Sequence, residues 1–327
     1  MTTYKEIRGT NIEVLASDPS NPVLGQVWYN STSNVVKAQS FNLGAWATGN
    51  NMNTARDFVG SAGTQTAALA FGGDLTRLNN TEAYNGTNWT ELNNLNTARM
   101  VDQGIGATNT AALACGGSEP GNTKSAKTET WNGTNWTEVN DLGTARYMIG
   151  GAGTNTAGLC IGGLTPPGQQ GDNILTELWN GTNWTEVNDL NTGRYGLSGA
   201  GIQTAALAFG GGLQGGTGTG ATETWNGTNW TEVNDLNNAR GEIAGCGTQA
   251  AALAFTGNPF SPNGKRTESW NGTNWTATAD TNTGRIIAGG AGTNTAAVCF
   301  GGSAPPGTLA ATEEFTAGPT TVTFTDS

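Results

Sequence analysis

Two residue types with chemical potential recur at matched positions along this chain. Arg56, Arg99, Arg146, Arg194, Arg240 and Arg285 form one series, and Glu82, Glu129, Glu177, Glu223, Glu268 and Glu313 form the other. Guanidinium groups gathered at one opening would bind an anion; matched one to one with carboxylates, they would be structural ion pairs. Sixfold repetition favours the structural pairing, because a catalytic site breaks symmetry. The chain has no His, which removes imidazole bases, Ser-His-Asp triads and His-dependent zinc or copper sites. Cys115, Cys160, Cys246 and Cys299 lack metal-ligand spacing, and three of them sit inside apolar strand-like runs. They read as buried free thiols. No paired carboxylates stand out, so no catalytic residue, cofactor or metal is expected, and the chain reads as a non-enzyme.

The elements that must position these series follow from composition. Of 327 residues, 51 are Gly, 12% are charged and 35% are hydrophobic, against roughly 45–50% apolar in an ordinary globular chain. Gly, Asn and Thr fill the gap, and they suit turns and strands rather than a helical bundle. Eleven Trp argue against disorder. A net charge of −11 and a pI near 4.4 disfavour nucleic acid as a partner. The opening residues Met1-Thr-Thr-Tyr-Lys-Glu-Ile-Arg carry no apolar stretch of the signal-peptide kind, and no run is long enough to span a membrane. Neither export nor membrane insertion is expected.

Internal repetition organises the rest. The unit reads TETWNGTNWTEVNDLNTAR, then a Gly-rich segment, then AALAFGG. Its second Trp falls at Trp46, Trp89, Trp136, Trp184, Trp230 and Trp275, and an Arg of the series follows each by ten positions. A Gly pair closes the apolar run at Gly72-Gly73, Gly116-Gly117, Gly162-Gly163, Gly210-Gly211 and Gly301-Gly302, while the fifth copy has Thr256-Gly257. Each unit breaks into four short extended pieces, with an Asn-Gly hairpin signal between the third and fourth. Four antiparallel strands per unit read as one propeller blade, and six such units close into a ring. The Gly doublet, the aromatic beyond it, the Trp five residues later and the trailing Arg, as in Trp131, Trp136 and Arg146, resemble kelch repeats over residues 41–316. The Gly-His and Trp-Asp dipeptides of WD40 repeats are absent. The expected fold is therefore all-β: a six-bladed kelch-like β-propeller of four-stranded antiparallel blades. The first copy enters at its fourth strand, residues 45–50, and the last ends at its third, residues 312–316. The N-terminal strand should thus complete the sixth blade, in a propeller domain of residues 41–327. Whether the tail 320–327 joins that blade is open at this point.

The recurring Trp residues read as packing between blades, and the Asn-Gly-Thr and Asn-Trp-Thr sequons as hairpin turns. Antiparallel order places the turns between strands one and two, and three and four, on one face; these hardly vary. The opposite face holds the Arg-bearing linkers and the loops between strands two and three: 74–80, 118–127, 164–175, 212–221, 258–266 and 303–311. Those loops differ in length and sequence, and variable loops on a rigid scaffold are where binding usually lives. Apart from the Arg series and the N-terminal Lys5, Arg8 and Lys37, all Lys and Arg lie in them. Arg77, Lys124, Lys127, Gln169, Asp172, Lys265 and Arg266 are the candidate binding residues.

Residues 1–40 stand outside the repeat and form an N-terminal arm. Val27–Asn30 and Val35–Ala38 read as two strands of a β-hairpin. The stretch GQVWYNSTSNVVK, residues 25–37, resembles a short hairpin module of virion and tail-associated proteins of tailed bacteriophages, marine ones included. That resemblance implies a virion protein such as a tail fibre, appendage or head decoration. The arm, with Tyr4, Trp28 and Tyr29, would dock to other virion proteins or join copies of this chain as a homo-oligomer. The loop face would engage a host-surface glycan or protein. The competing expectation is a free carbohydrate-binding propeller, for which Trp, Asn and Thr are suitable residues.

Overall fold

In the computed structural model, residues 12–23, 25–166, 174–260 and 264–324 are described. Contacts divide the chain into two compact units: Ala45–Thr316, and Met1–Gly44 together with Ala317–Ser327. The division falls after residue 44 rather than residue 40, and the C-terminal tail groups with the N-terminal segment.

The larger unit is a six-bladed β-propeller. Blade one pairs Gly60–Thr64, Ala67–Phe71, Thr81–Tyr84 and Trp89–Leu92 in order, and blades two to five repeat the antiparallel pattern from Ile105, Gly150, Ser198 and Ala244. In blade six, Gly289–Gly292 and Ala296–Phe300 are followed by the strand Thr312–Phe324 and then by Val35–Gly49. The first strands neighbour one another in cyclic order, the sixth meeting the first.

Each recurring residue has a place in this ring. The fourth-strand indole donates to the third-strand threonine of the preceding blade: Trp136 to Thr81 at 2.9 Å, Trp184 to Thr128 at 3.0 Å and Trp230 to Thr176 at 3.1 Å. It also packs on the last residue of that blade's second strand, as Trp136 does on Phe71 with ring centroids 4.8 Å apart. The same contacts cross the seam. Trp89 donates to Thr312 at 3.0 Å and packs on Phe300, while Trp46 donates to Thr267 at 3.2 Å and packs on Phe255. Trp46, from the N-terminal end of this unit, therefore fills the indole position of blade six.

The Gly doublet is where the chain leaves the second strand against the next blade. Its first residue has φ near +60°, for example +64° at Gly72, and a Cβ there would sit 2.7 Å from the Arg99 carbonyl oxygen. Thr256 holds this position in blade five at φ +62°, a conformation that β-branched residues rarely adopt.

The Asn-Gly turns do more than reverse the chain. Asn132 Oδ1 accepts from the backbone N–H groups of Thr134 and Asn135. The next turn is then held by its neighbour, since Asn93 Nδ2 donates to Thr134 O and Asn135 Oδ1, both at 2.9 Å. Asn140, Asn188 and Asn234 repeat that clamp on the following blades.

In the smaller unit, Val27–Asn30 pairs antiparallel with the start of Val35–Gly49, from Val27 opposite Ala38 to Asn30 opposite Val35. A third strand, Glu13–Leu15, which the sequence reading lacks, pairs parallel to Val27–Asn30. Asp18 ties the unit together by accepting from Trp28 at 3.0 Å, Asn30 at 2.7 Å and Lys37 at 2.7 Å. Those bonds, led by the one from Lys37, hold its carboxyl down at about 2.

Candidate functional site

The Arg–Glu series lies wholly inside the blades. Every one of the six guanidinium groups is inaccessible to solvent and sits beside the third-strand Glu of the blade it enters. The separations are 3.0 Å for Arg56–Glu82 and 3.1 Å for Arg146–Glu177 and Arg194–Glu223; Arg99–Glu129, Arg240–Glu268 and Arg285–Glu313 complete the set. Each Glu also accepts backbone N–H groups from its linker, as Glu129 does from Asn96 at 2.7 Å and Thr97 at 3.2 Å. The carboxylate thus fastens the crossing from one blade to the next. An anion-binding Arg ring is excluded by this burial. The third-strand aromatics, Trp131 among them, are buried too, and so are Trp28 and five of the six fourth-strand Trp, Trp184 being half-buried. No fully exposed indole is offered to a ligand.

The axis at the loop-face end departs from sixfold symmetry. Two residues after most of the series Arg, the backbone enters the left-handed region: Phe58, Met148, Gly196, Glu242 and Ile287 have φ between +48° and +58°. Their backbones join in a ring, in which Phe58 N donates to Ile287 O at 3.1 Å, Ile287 N to Glu242 O at 3.1 Å and Gly196 N to Met148 O at 2.7 Å. Blade two breaks the pattern. It has nine steps from Arg99 to Thr108, where blade one has eight from Arg56 to Thr64, and its first strand shifts register between Ile105 and Thr108. The extra residue brings Asp102 into the ring, and its Oδ2 replaces a carbonyl as acceptor for Met148 N at 2.8 Å. Gln103 then reaches across the axis. Its Oε1 accepts from Gly151 N at 2.9 Å and Gly199 N at 3.1 Å, while its Nε2 donates to Gly199 O at 3.1 Å. Below this bar, the Gly- and Ala-rich first strands line a cavity of about 250 Å³ toward the turn face.

Asp102 and Glu242 line the space above the bar, and Asp57 lies within electrostatic reach of both. Burial pushes Asp102 up to about 7, with Glu242 and Asp57 adding to the effect. Burial and Asp74 push Asp57 up to about 6, and burial raises Glu242. Asp57 Oδ1, Asp102 Oδ1 and Glu242 Oε2 are buried acceptors without a hydrogen-bond partner. This gathering is a correction to the sequence reading, which found no paired carboxylates. In sequence the three stand one, three and two positions after Arg56, Arg99 and Arg240, so no single aligned position announces them. Among the described residues, no three His, Cys, Asp or Glu are close enough to hold a metal ion.

The predicted binding cations separate into distinct places. Arg77 bonds Ser118 Oγ at 3.3 Å and Asn122, bridging the loops of blades one and two. Lys124 lies 3.5 Å from the Tyr147 ring centroid, bridging blades two and three, and burial lowers its pKa, with Arg77 nearby contributing. Lys127 is spent on Thr97 at 3.2 Å and Glu119 at 3.7 Å. Lys265 and Arg266 are exposed on blade five, Arg266 facing Asp280 at 3.3 Å. Gln169, Asp172 and Tyr4 lie outside the described residues. Trp28 is fully buried, and the half-buried Tyr29 donates to Asn34 at 3.1 Å. All four cysteines are buried free thiols; burial raises Cys299 to about 12.

The structure of YjhT aligns over 85% of this chain and 97% of its own length, with a TM-score of 0.63 and 10% sequence identity. At that identity the likeness concerns the fold alone. No family model matches the chain, and no curated protein does either.

Proposed function

We propose that this chain is a non-enzymatic structural and binding protein of a tailed-phage virion, a tail fibre, appendage or head decoration. Its repeats are of the kelch type. Its N-terminal unit docks to the particle and its variable propeller loops meet a host or partner surface. The observation that carries the reading is where exposed apolar side chains lie. Among the described residues, eight large hydrophobics are exposed, and five of them, Ile12, Val14, Val23, Leu43 and Phe324, belong to the smaller unit. Apolar exposure concentrated on so short a segment supports an interaction role, whereas the much longer propeller unit exposes three such residues, Leu75, Ile202 and Phe260. The hairpin stretch of residues 25–37 supplies the phage part of the reading. Burial of the repeat aromatics removes the repeated Trp as stacking platforms for the competing free-lectin reading.

Light scattering on the full chain and on a chain beginning at Ala45 tests this. The expected result is an oligomer, or a complex with isolated particle proteins, that is lost on truncation while the tryptophan spectrum of the ring persists. A monomer in both forms that binds no particle component and no cell surface overturns the reading.

A further inference from the structure

Between the loops of blades four and five lies a cleft of about 390 Å³, within the range of about 300–1,000 Å³ typical of small-molecule sites. Tyr195, Gly216, Thr217, Gly218, Glu242 and Asn258 line it. Gly216 leaves its side of the cleft open: nothing stands within 4 Å of where a Cβ there would project. At two other junctions on this face, long side chains reach across. Arg77 spans blades one and two, and Lys124 over Tyr147 spans blades two and three. The Tyr195 ring is set against Gly212, where an added Cβ would come within 2.9 Å of it. Glu242 borders both this cleft and the axial space, and its Oε2 is a buried acceptor with no donor in the protein.

We propose that this cleft binds one uncharged hexose-sized sugar unit, a deepening of the host-surface reading above on which it rests. The Glu242 carboxylate accepts from a sugar hydroxyl at the cleft wall. The Asn258 amide and the Thr217 hydroxyl offer both donors and acceptors, as a polyol requires. The Tyr195 ring supplies an aromatic surface for the C–H face of the pyranose. Among the described residues, no Lys or Arg lines the cleft, so none of them pairs with the carboxylate of an acidic sugar.

Saturation-transfer NMR on the full chain tests this with free glucose, galactose, mannose, N-acetylglucosamine, sialic acid and glucosamine as probes. A neutral sugar is expected to bind. Thr217→Trp fills the cleft from an exposed position and should abolish the signal, and Glu242→Gln should weaken binding by about tenfold. Thr134→Trp, on the turn face, should leave binding unchanged. Binding of no neutral sugar, persistence of binding in Thr217→Trp, or preference for sialic acid or glucosamine overturns the proposal. Adsorption of the same variants to host cells is measured in parallel. If the chain adsorbs and the cleft variants adsorb equally well, the cleft proposal falls and the host-surface reading stands. If sugar binds in the cleft while the chain adsorbs to no cell or particle, the reading falls and the cleft stands.

Discussion

The turn face and the loop face of the propeller are built from connections of similar polarity, yet they differ in what their side chains are free to do. On the turn face, Asn132 and its counterparts hold their own turns, and Asn93, Asn140, Asn188 and Asn234 each hold the next blade. A change there removes contacts in two blades at once. On the loop face, the Arg–Glu pairs, the Gly doublets and the ends of the loops fix the chain where it crosses between blades, and the loops vary between those ends. They can differ in length, and one pair of loops leaves an open cleft. Sequence constancy on one face and variety on the other thus have a common cause, the share of polar groups already committed to neighbours.

The sharpest way to break this comparison is to attack the crossing that both faces depend on. Glu129→Ala should destabilise the ring by about 3–5 kcal/mol, because it leaves Arg99 buried and unpaired; urea unfolding reads the change, and a cost near zero would mean that the pairs do not fasten the linkers. Trp46→Phe comes next. It removes the indole bond to Thr267 and should cost about 1–2 kcal/mol, the same as Trp136→Phe within a continuous blade. A much smaller effect at Trp46 would show the seam to be looser than the other five junctions.

The buried carboxylates give a pH signature of the loop-face end. Asp102 at about 7 and Asp57 at about 6 are raised above the ordinary carboxylate value. The folded state therefore holds their protons more tightly than the unfolded chain does. The stability they contribute is complete below about pH 4 and is lost as pH rises through about 6 and 7. Between about pH 5 and pH 8 the Tm should fall by a few degrees, and Asp102→Asn, which keeps an acceptor for Met148 N, should flatten that slope. An unchanged slope would place the titration elsewhere.

Smaller effects should separate the two faces directly. Asn140→Ala should cost about 1 kcal/mol through the lost inter-blade clamp. Lys124→Ala on the loop face should cost about 0.5–1 kcal/mol at most, the worth of a partly exposed cation–aromatic contact. Reversal of that order, measured by the same unfolding assay, would undo the contrast.

Much of the fold was legible because its signals are local and periodic. The Trp–Arg spacing, the Gly doublets and the Asn-Gly turns each specify a piece of backbone, and six copies in register leave a closed ring as the economical solution. The strand through Trp46 was legible for the same reason, as a fourth strand without its own first three. Sequence alone therefore determined the blade, the number of blades, the pairing of Arg with Glu and the two-faced order of the loops. It could not determine what lies at the axis. One extra residue between Arg99 and Thr108 shifts the register of blade two, and only the closed ring turns that shift into Gln103 crossing to blades three and four. Asp57, Asp102 and Glu242 are far apart in sequence and carry no common motif; Asp102 and Glu242 come to line one space, with Asp57 in electrostatic reach, only because the linkers converge. The cleft beside Tyr195 likewise depends on which neighbouring loops lack side chains. Periodic sequence specifies what each blade does for itself and its neighbour, while the non-periodic residues acquire their role from where the ring brings them.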